Sequence, residues 1–295
     1  MKRTFSFLIL VIVAYSCRKT ESATNSYPTY DYLIVKQQLD TLNASFSANG
    51  YKPTVSVFKK GKKQLTFFGA SHVRDTEHPQ FKAIEAAFRQ QNPQIAFNEG
   101  GQIPETEHYA SRDSAILVDG ETGLVKYLCD QQHIKLLNGD MSTDEEFVRL
   151  LTKCPREKLF LYLGIERFLQ PFSQGFDGKM AIEEAYQKSF IDYLEKYNFK
   201  PTAQEKKLSY LYELYSQYFK QKVDLKNLIR VHEYYLTDKG AFGKIGRASK
   251  KIRDQVLLKK IDKALDKYDN VFVVFGGSHW VAVQPALKYI IEKQR

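Results

Sequence analysis

The sequence predicts an α/β fold, a central mainly parallel sheet flanked by helices, and three features carry that prediction. Strand-length apolar runs alternate with helix-period segments at both ends of the chain. The run at 271–275, Val-Phe-Val-Val-Phe, is apolar on every side, as a strand covered on both faces must be. The ~265 residues beyond the leader can enclose a sizeable core, and 43% hydrophobic with 14% aromatic residues is the composition of a globular chain.

Lys2 and Arg3 precede an apolar run at 5–15. It is too short to span a bilayer, which takes ~20 residues, and has the length of a signal-peptide core. The run ends in Ala14-Tyr15-Ser16-Cys17, which resembles the lipobox of bacterial lipoproteins. Residues 1–16 therefore read as a signal peptide and Cys17 as the lipid-bearing residue, whose partner is membrane lipid. Tyr15 is atypical in that motif, so ordinary signal cleavage and an uncleaved anchor stay open. The expected location is the bacterial cell envelope, facing the periplasm or the exterior. Residues 17–50 form the tether leading into the domain, Ser/Thr/Asn-rich from 18 to 30. The domain itself spans 51–295.

Residues 54–58 and 64–68 flank a Lys/Gly turn and read as a hairpin with a buried second strand. At 79–91 apolar residues recur with helical period, and Pro93 ends that helix. Short strands come next at 94–98 and 134–137, separated by a helix at 120–132. Residues 157–170 read as a buried helix, with a strand at 159–163 as the alternative. Segments 181–197 and 203–222 are amphipathic and tyrosine-rich, and mark a helical insertion over about 180–236. Further helices are predicted at 225–236, 248–268 and 281–293, around the strand at 271–275.

One local similarity stands apart from this alternation. Gly69-Ala70-Ser71-His72 follows the first buried strand and Gly276-Gly277-Ser278-His279 follows the last. In open parallel sheets ligands sit beyond the carboxyl ends of strands. A lone strand-end histidine is usually structural; two in matching contexts, among 6 histidines in all, point to a site. The strand at 94–98 runs into Glu99-Gly100-Gly101 and supplies a carboxylate at the same end. Two imidazoles and a carboxylate can hold a divalent metal with open positions for water, or act as a metal-free base with orienting partners. Glu121, in Gly120-Glu121-Thr122-Gly123, either faces this pocket or is a first-turn carboxylate favoured by the helix dipole. Arg253-Asp254 either binds substrate and stabilises an oxyanion or forms a surface ion pair. Arg74, Asp75 and His78 follow His72 closely and are candidates for the rim. His108, His133 and His232 have no comparable context and read as structural or exposed.

The paired G-x-x-H motifs, with the strand-end glutamate after the first, resemble the TraB/GumN–Tiki family. That family belongs to a broader set with erythromycin esterase and the ChaN-like haem-binding lipoproteins. The resemblance spans about residue 64 to the C-terminus. It implies an α/β fold built around a pseudo-repeat and a hydrolase of peptide or ester bonds. It places His72, Glu99 and His279 on metal or catalytic positions, with Glu121 and Arg253-Asp254 in secondary motifs. The Tiki branch implies a divalent metal (Mn, Co or Zn), and the esterase branch implies water activated by histidine without one. Asn98-Glu99-Gly100-Gly101 and Ala70 depart from the patterns of both branches. The ChaN branch implies haem, for which His72 and the His78-Pro79-Gln80 segment are a loose echo, with tyrosines of the insertion as candidate axial ligands. A non-catalytic envelope scaffold is the plain alternative.

The net charge of +10 is dispersed. The lysine turn at 58–63 and the basic stretch at 247–253 do not interleave with aromatics, which argues against nucleic acid as a partner. They read as solvated faces with a secondary attraction to anionic lipid. H-E-x-x-H, G-x-S-x-G and P-loop motifs are absent from the sequence. Beyond Cys17, Cys129 and Cys154 either pair or stay as buried thiols.

Overall fold

A computed structural model describes residues 26–231 and 234–294. The signal peptide, Cys17 and His232 lie outside the described residues. The five strands are β1 (Thr54–Lys60), β2 (Lys63–Ala70), β3 (Ile95–Asn98), β4 (Lys135–Asn138) and β5 (Asn270–Gly276). The longer helices are α1 (Tyr32–Asn49), α2 (Pro79–Gln91), α3 (Arg112–Gln131), α4 (Thr143–Leu151) and α5 (Arg156–Gly164). Short helices α6 (Gln170–Ser173), α7 (Ile182–Ala185) and α8 (Asp192–Lys196) come next, then α9 (Leu208–Phe219), α10 (Tyr234–Thr237), α11 (Ala241–Leu265) and α12 (Gly277–Lys293).

The strands form one sheet in the order β1-β2-β5-β3-β4. The hairpin partner β1 is antiparallel to β2, and the other pairings are parallel. This is the expected α/β architecture, and its period-2 alternation decides which layer covers which face. Leu65 and Phe67 of β2, Ile95 and Phe97 of β3, and Val271, Val273 and Phe275 of β5 pack against α11 and α12. Phe68, Ala96, Phe272 and Val274 point the other way, onto α2 and α3. The outer edge of β4 is closed locally: the Gln102 side chain accepts from Asn138 N and donates to Leu136 O.

A second core, from Met141 to Ile252, is built from α4 to α9 and the first half of α11. The helical layer therefore starts near residue 143, ahead of the expected insertion at 180. Residues 157–170 are helical, not a strand, and continue through a π-helical turn at Ile165–Leu169. A second such turn, Tyr186–Ile191, lies within the 181–197 helix. The predicted helix at 225–236 does not form over 225–230. Asp224 caps a turn there, its carboxylate accepting from Lys226 N and the Asn227 amide. Leu225, Leu228 and Ile229 then lie against the helical core without helical bonds.

Ahead of residue 51 the chain also folds. Asp31 caps α1 by accepting from Leu33 N, and Tyr32 and Val35 pack on Val281 and Ala282 of α12. Cys129 and Cys154 are free and belong to different cores. Among the described residues no helix is long and apolar enough to cross a membrane.

Phe272 is fully buried at the centre of the sheet, with its ring edge-on to Phe88 at 5.2 Å. Phe272→Ala should lower unfolding free energy by ~3–5 kcal/mol with little change in m-value, as a cavity does. Denaturant titration reads this directly.

Candidate active site

Because β5 inserts between β2 and β3, three adjacent parallel strands end together. Ala70 pairs with Gly276, and Asn98 with Val274. The next residues along these strands bring His72, His279 and Glu99 to one place. His72 follows β2 in an open loop, whereas His279 stands in the first turn of α12.

Glu99 is at the centre. Its Oε2 accepts from Gly276 N at 2.6 Å and its Oε1 from Arg253 Nη2 at 2.6 Å. His279 Nε2 is 3.5 Å from Oε1, and His72 Nε2 is 4.0 Å from Oε2. Burial alone would push the Glu99 carboxyl up. Its neighbours His279, Arg253, Lys250 and His72, in that order, outweigh that and hold it well below the usual carboxylate range. The Glu99 carbonyl accepts from Thr122 Oγ1 and from the Asn98 amide, which also bonds Gly101 O. Gly100 and Gly101 have φ of 88° and 121°, so the chain turns away from the carboxylate as other residues rarely permit.

Each imidazole has its own carboxylate. His72 Nδ1 lies 2.5 Å from Glu121 Oε1, and His279 Nδ1 lies 2.6 Å from Asp254 Oδ1. Both rings thus turn Nε2 towards Glu99. The hydrogen bond His72 makes to Glu121 raises the His72 pKa against the opposing effect of burial. The two dyads differ in access: the His72 side chain is 65% exposed and that of His279 is 1%. Tyr32 of α1 donates to Asp254 Oδ2 at 2.9 Å and lies 3.1 Å from His279 Nδ1.

Glu121 reaches His72 because α3 is kinked. Gly120, at φ 56° and ψ −133°, breaks the helix, and a Cβ there would meet Val73 O at 2.9 Å. So Glu121 faces the pocket, as the first of its two readings has it. Arg253 donates Nε to Asp140 Oδ1 at 2.8 Å and Nη2 to both Asp140 and Glu99. His72, Glu99, Glu121 and Arg253, together with Gly100 and Gly101, line a cleft of about 430 Å³ with Arg74 at its rim. Asp75 and His78 do not line it. Asp75 accepts from Glu77 N in a turn, and His78 caps α2 by accepting from Gln80 N. Asp254 is buried behind His279. His108 pairs with Asp130 at the surface, and His133 is exposed. Two tyrosines of the helical layer, Tyr186 and Tyr215, are buried with their hydroxyls bonded to Glu205 O and Ile229 N, an arrangement closed to an axial ligand.

Three participants escape the sequence reading: Tyr32, Asp140 and Lys250. Lys250 Nζ lies 3.4 Å from His279 Nε2 and 5.3 Å from the centre of the Tyr235 ring. Burial first, then Arg253, depresses its pKa. Within the stretch 247–253, read as a solvated face, Lys251 is exposed but Arg247, Lys250 and Arg253 form an inward stripe with helical spacing. Arg247 bonds Tyr235 O and Asp238 O, Lys250 meets His279, and Arg253 meets Glu99. A divalent metal does not fit the donors as placed. Both Glu99 oxygens accept from N–H groups, and His279 Nε2 faces an ammonium. Among the described residues no three His, Cys, Asp or Glu side chains are arranged to hold an ion.

No protein-family model matches the chain, and comparison with curated proteins and with solved structures brings up no match.

Gly120→Ala should cost ~1–3 kcal/mol of stability through its strained backbone and detach Glu121 from His72. In the NMR titration of the His72 ring, the pKa of this variant should fall back towards the ordinary 6.5. An unchanged titration would show that the kink does not position Glu121.

Proposed function

We propose that the chain is a hydrolase of peptide or ester bonds, lipid-anchored through Cys17 outside the cytoplasm, in which His72 activates water without a metal. The observation that carries this reading is the exposed His72 Nε2, oriented by Glu121 and 4.0 Å from Glu99 Oε2. A water bonded to both atoms fits that gap, since each bond is about 2.8 Å long.

His72 is the base, because Glu99 is too acidic to hold a proton at neutral pH. Water gives a proton to His72 Nε2 as its oxygen bonds to the substrate carbonyl carbon, and the carbonyl π pair moves onto oxygen. When the intermediate collapses, the bond to the alcohol or amine breaks and the leaving group takes the proton back from His72. Glu99 accepts the second hydrogen of the water and fixes its direction. Arg253 commits Nε and Nη2 to carboxylates, while its Nη1 makes no bond among the described residues. That N–H is the donor open to the oxyanion from the cleft wall. Arg74 at the rim contacts the substrate outside the scissile bond. Substrates are short peptides or small esters, for which a cleft of about 430 Å³ has room.

His72→Ala should lower kcat/KM for a responsive ester or peptide by ~10²–10⁴-fold. Full hydrolysis by both His72→Ala and His279→Ala variants would overturn the assignment. The pH dependence follows from the raised His72 pKa. The unprotonated ring is the active form, so the rate should climb with pH through a value above 6.5. The linkage to stability runs the other way. The His72–Glu121 pair stabilises the fold fully below the ordinary histidine pKa, and this contribution fades as pH rises through the raised one. Glu121→Gln should shift the acid limb of the rate profile to lower pH, and a limb that does not move would remove Glu121 from this role.

A further inference from the structure

Three carboxylates, Glu99, Glu121 and Asp254, lie against the two imidazoles, and a fourth, Asp140, pairs with Arg253. Two fixed cations, Arg253 and Lys250, come from the same face of α11, one turn apart. Their situations differ. Arg253 is paired to Asp140 and Glu99. Lys250 makes no ion pair among the described residues; its neighbours are His279 Nε2 at 3.4 Å and the face of Tyr235. Tyr235 is in turn edge-on to Tyr32, 5.6 Å between centroids. An ammonium is thus held by packing against the nitrogen that a metal would take from His279.

A metal at this place needs lone pairs from His72 Nε2, His279 Nε2 and Glu99 aimed at a shared point. The lone pair of His279 Nε2 is aimed at Lys250 when Asp254 holds the proton on Nδ1. Each oxygen of the Glu99 carboxylate already accepts one N–H, from Gly276 N and from Arg253, which leaves one lone pair on each. A divalent ion would also stand beside two cations in a partly buried site, where such repulsion is poorly screened.

We propose that the Lys250 ammonium, seated against His279 Nε2, takes the place of a divalent metal ion beside the His72–Glu99–His279 set, so that the centre carries a cation of its own chain. Lys250 is in this sense a positioning residue. It holds His279 Nε2 and offsets the charge of Glu99 without touching the cleft substrate. Ion binding at this centre is separable from hydrolysis, so the proposal stands or falls without the hydrolase reading.

The test is metal uptake by the full chain near neutral pH, with Co²⁺ as probe, read by calorimetry and by the visible bands of coordinated cobalt. Wild type and Lys250→Arg, which keeps the cation, should take up no stoichiometric Co²⁺. Lys250→Met, which keeps the aliphatic stem, and Lys250→Ala should each bind about one equivalent, at least ~100-fold tighter than wild type. Adding His279→Ala should abolish that uptake. One equivalent bound by wild type and lost in His72→Ala would overturn the proposal outright, whatever the variants do. Failure of cooperatively melting Lys250→Met and Lys250→Ala chains to bind cobalt would overturn it as well. Because the readout contains no substrate, an inactive but metal-excluding wild type would count against the hydrolase reading alone.

Discussion

Glu99 is the constraint that the site is built around. It is a nearly buried carboxylate at the end of a four-residue strand. An unpaired charge in that position would be prohibitively costly, so each surrounding element must bring compensation. The backbone N–H of Gly276 comes from β5, the guanidinium of Arg253 from α11, and the two imidazoles from the loop after β2 and the first turn of α12. A side chain at position 276 would intrude on this meeting, because its Cβ would lie 3.1 Å from Glu99 Oε2 and 3.3 Å from His72 Nε2. The strand order serves the same end. With β5 between β2 and β3, the carboxylate reaches the backbone of β5 and lies within 4.0 Å of the ring that follows β2.

Compensation does not stop at the nearest contacts. Arg253 needs a second acceptor once one oxygen of Glu99 is used, and Asp140, just beyond β4, supplies it. Asp254 is fully buried and would be as costly as Glu99 without donors. His279 Nδ1 and the Tyr32 hydroxyl occupy its two oxygens. That second donor requires α1 to dock on α12. Helix α1 is therefore part of the domain, although its exposed face gives little apolar periodicity. The network ties the N-terminal helix, the sheet and the helical layer to one cluster of charges.

How much of this is legible in the sequence depends on whether the cause is local. The apolar run at 271–275, the Lys/Gly turn and the Pro93 boundary are local, and the strands and helices around them form as read. The paired glycine–histidine motifs and the strand-end glutamate are legible because the parallel topology sends strand ends to one place. Other features have distant causes. Lys250 belongs to a basic stretch that looks solvated until the 247, 250, 253 spacing is placed on a helix whose inner face meets a carboxylate. Tyr32 carries no signal of its own, because its partner lies 222 positions away. The helix expected at 225–236 yields to a side-chain cap at Asp224, a choice that composition alone does not weigh.

The two G-x-S-H motifs also show how a repeated local pattern acquires unequal roles. Each delivers an imidazole with Nδ1 tied to a carboxylate and Nε2 turned inward. The difference lies in the backbone that carries each ring. After Ser71 the chain stays open as a loop, and His72 remains largely exposed at the cleft. After Gly277 the chain enters α12 at once, and His279 is enclosed between α1, α11 and the sheet. An exposed ring can exchange protons with water and substrate. An enclosed ring between an ammonium and a carboxylate is better suited to holding charges in place. The asymmetry comes from where the helix begins, and it leaves the first ring open to the cleft and the second enclosed.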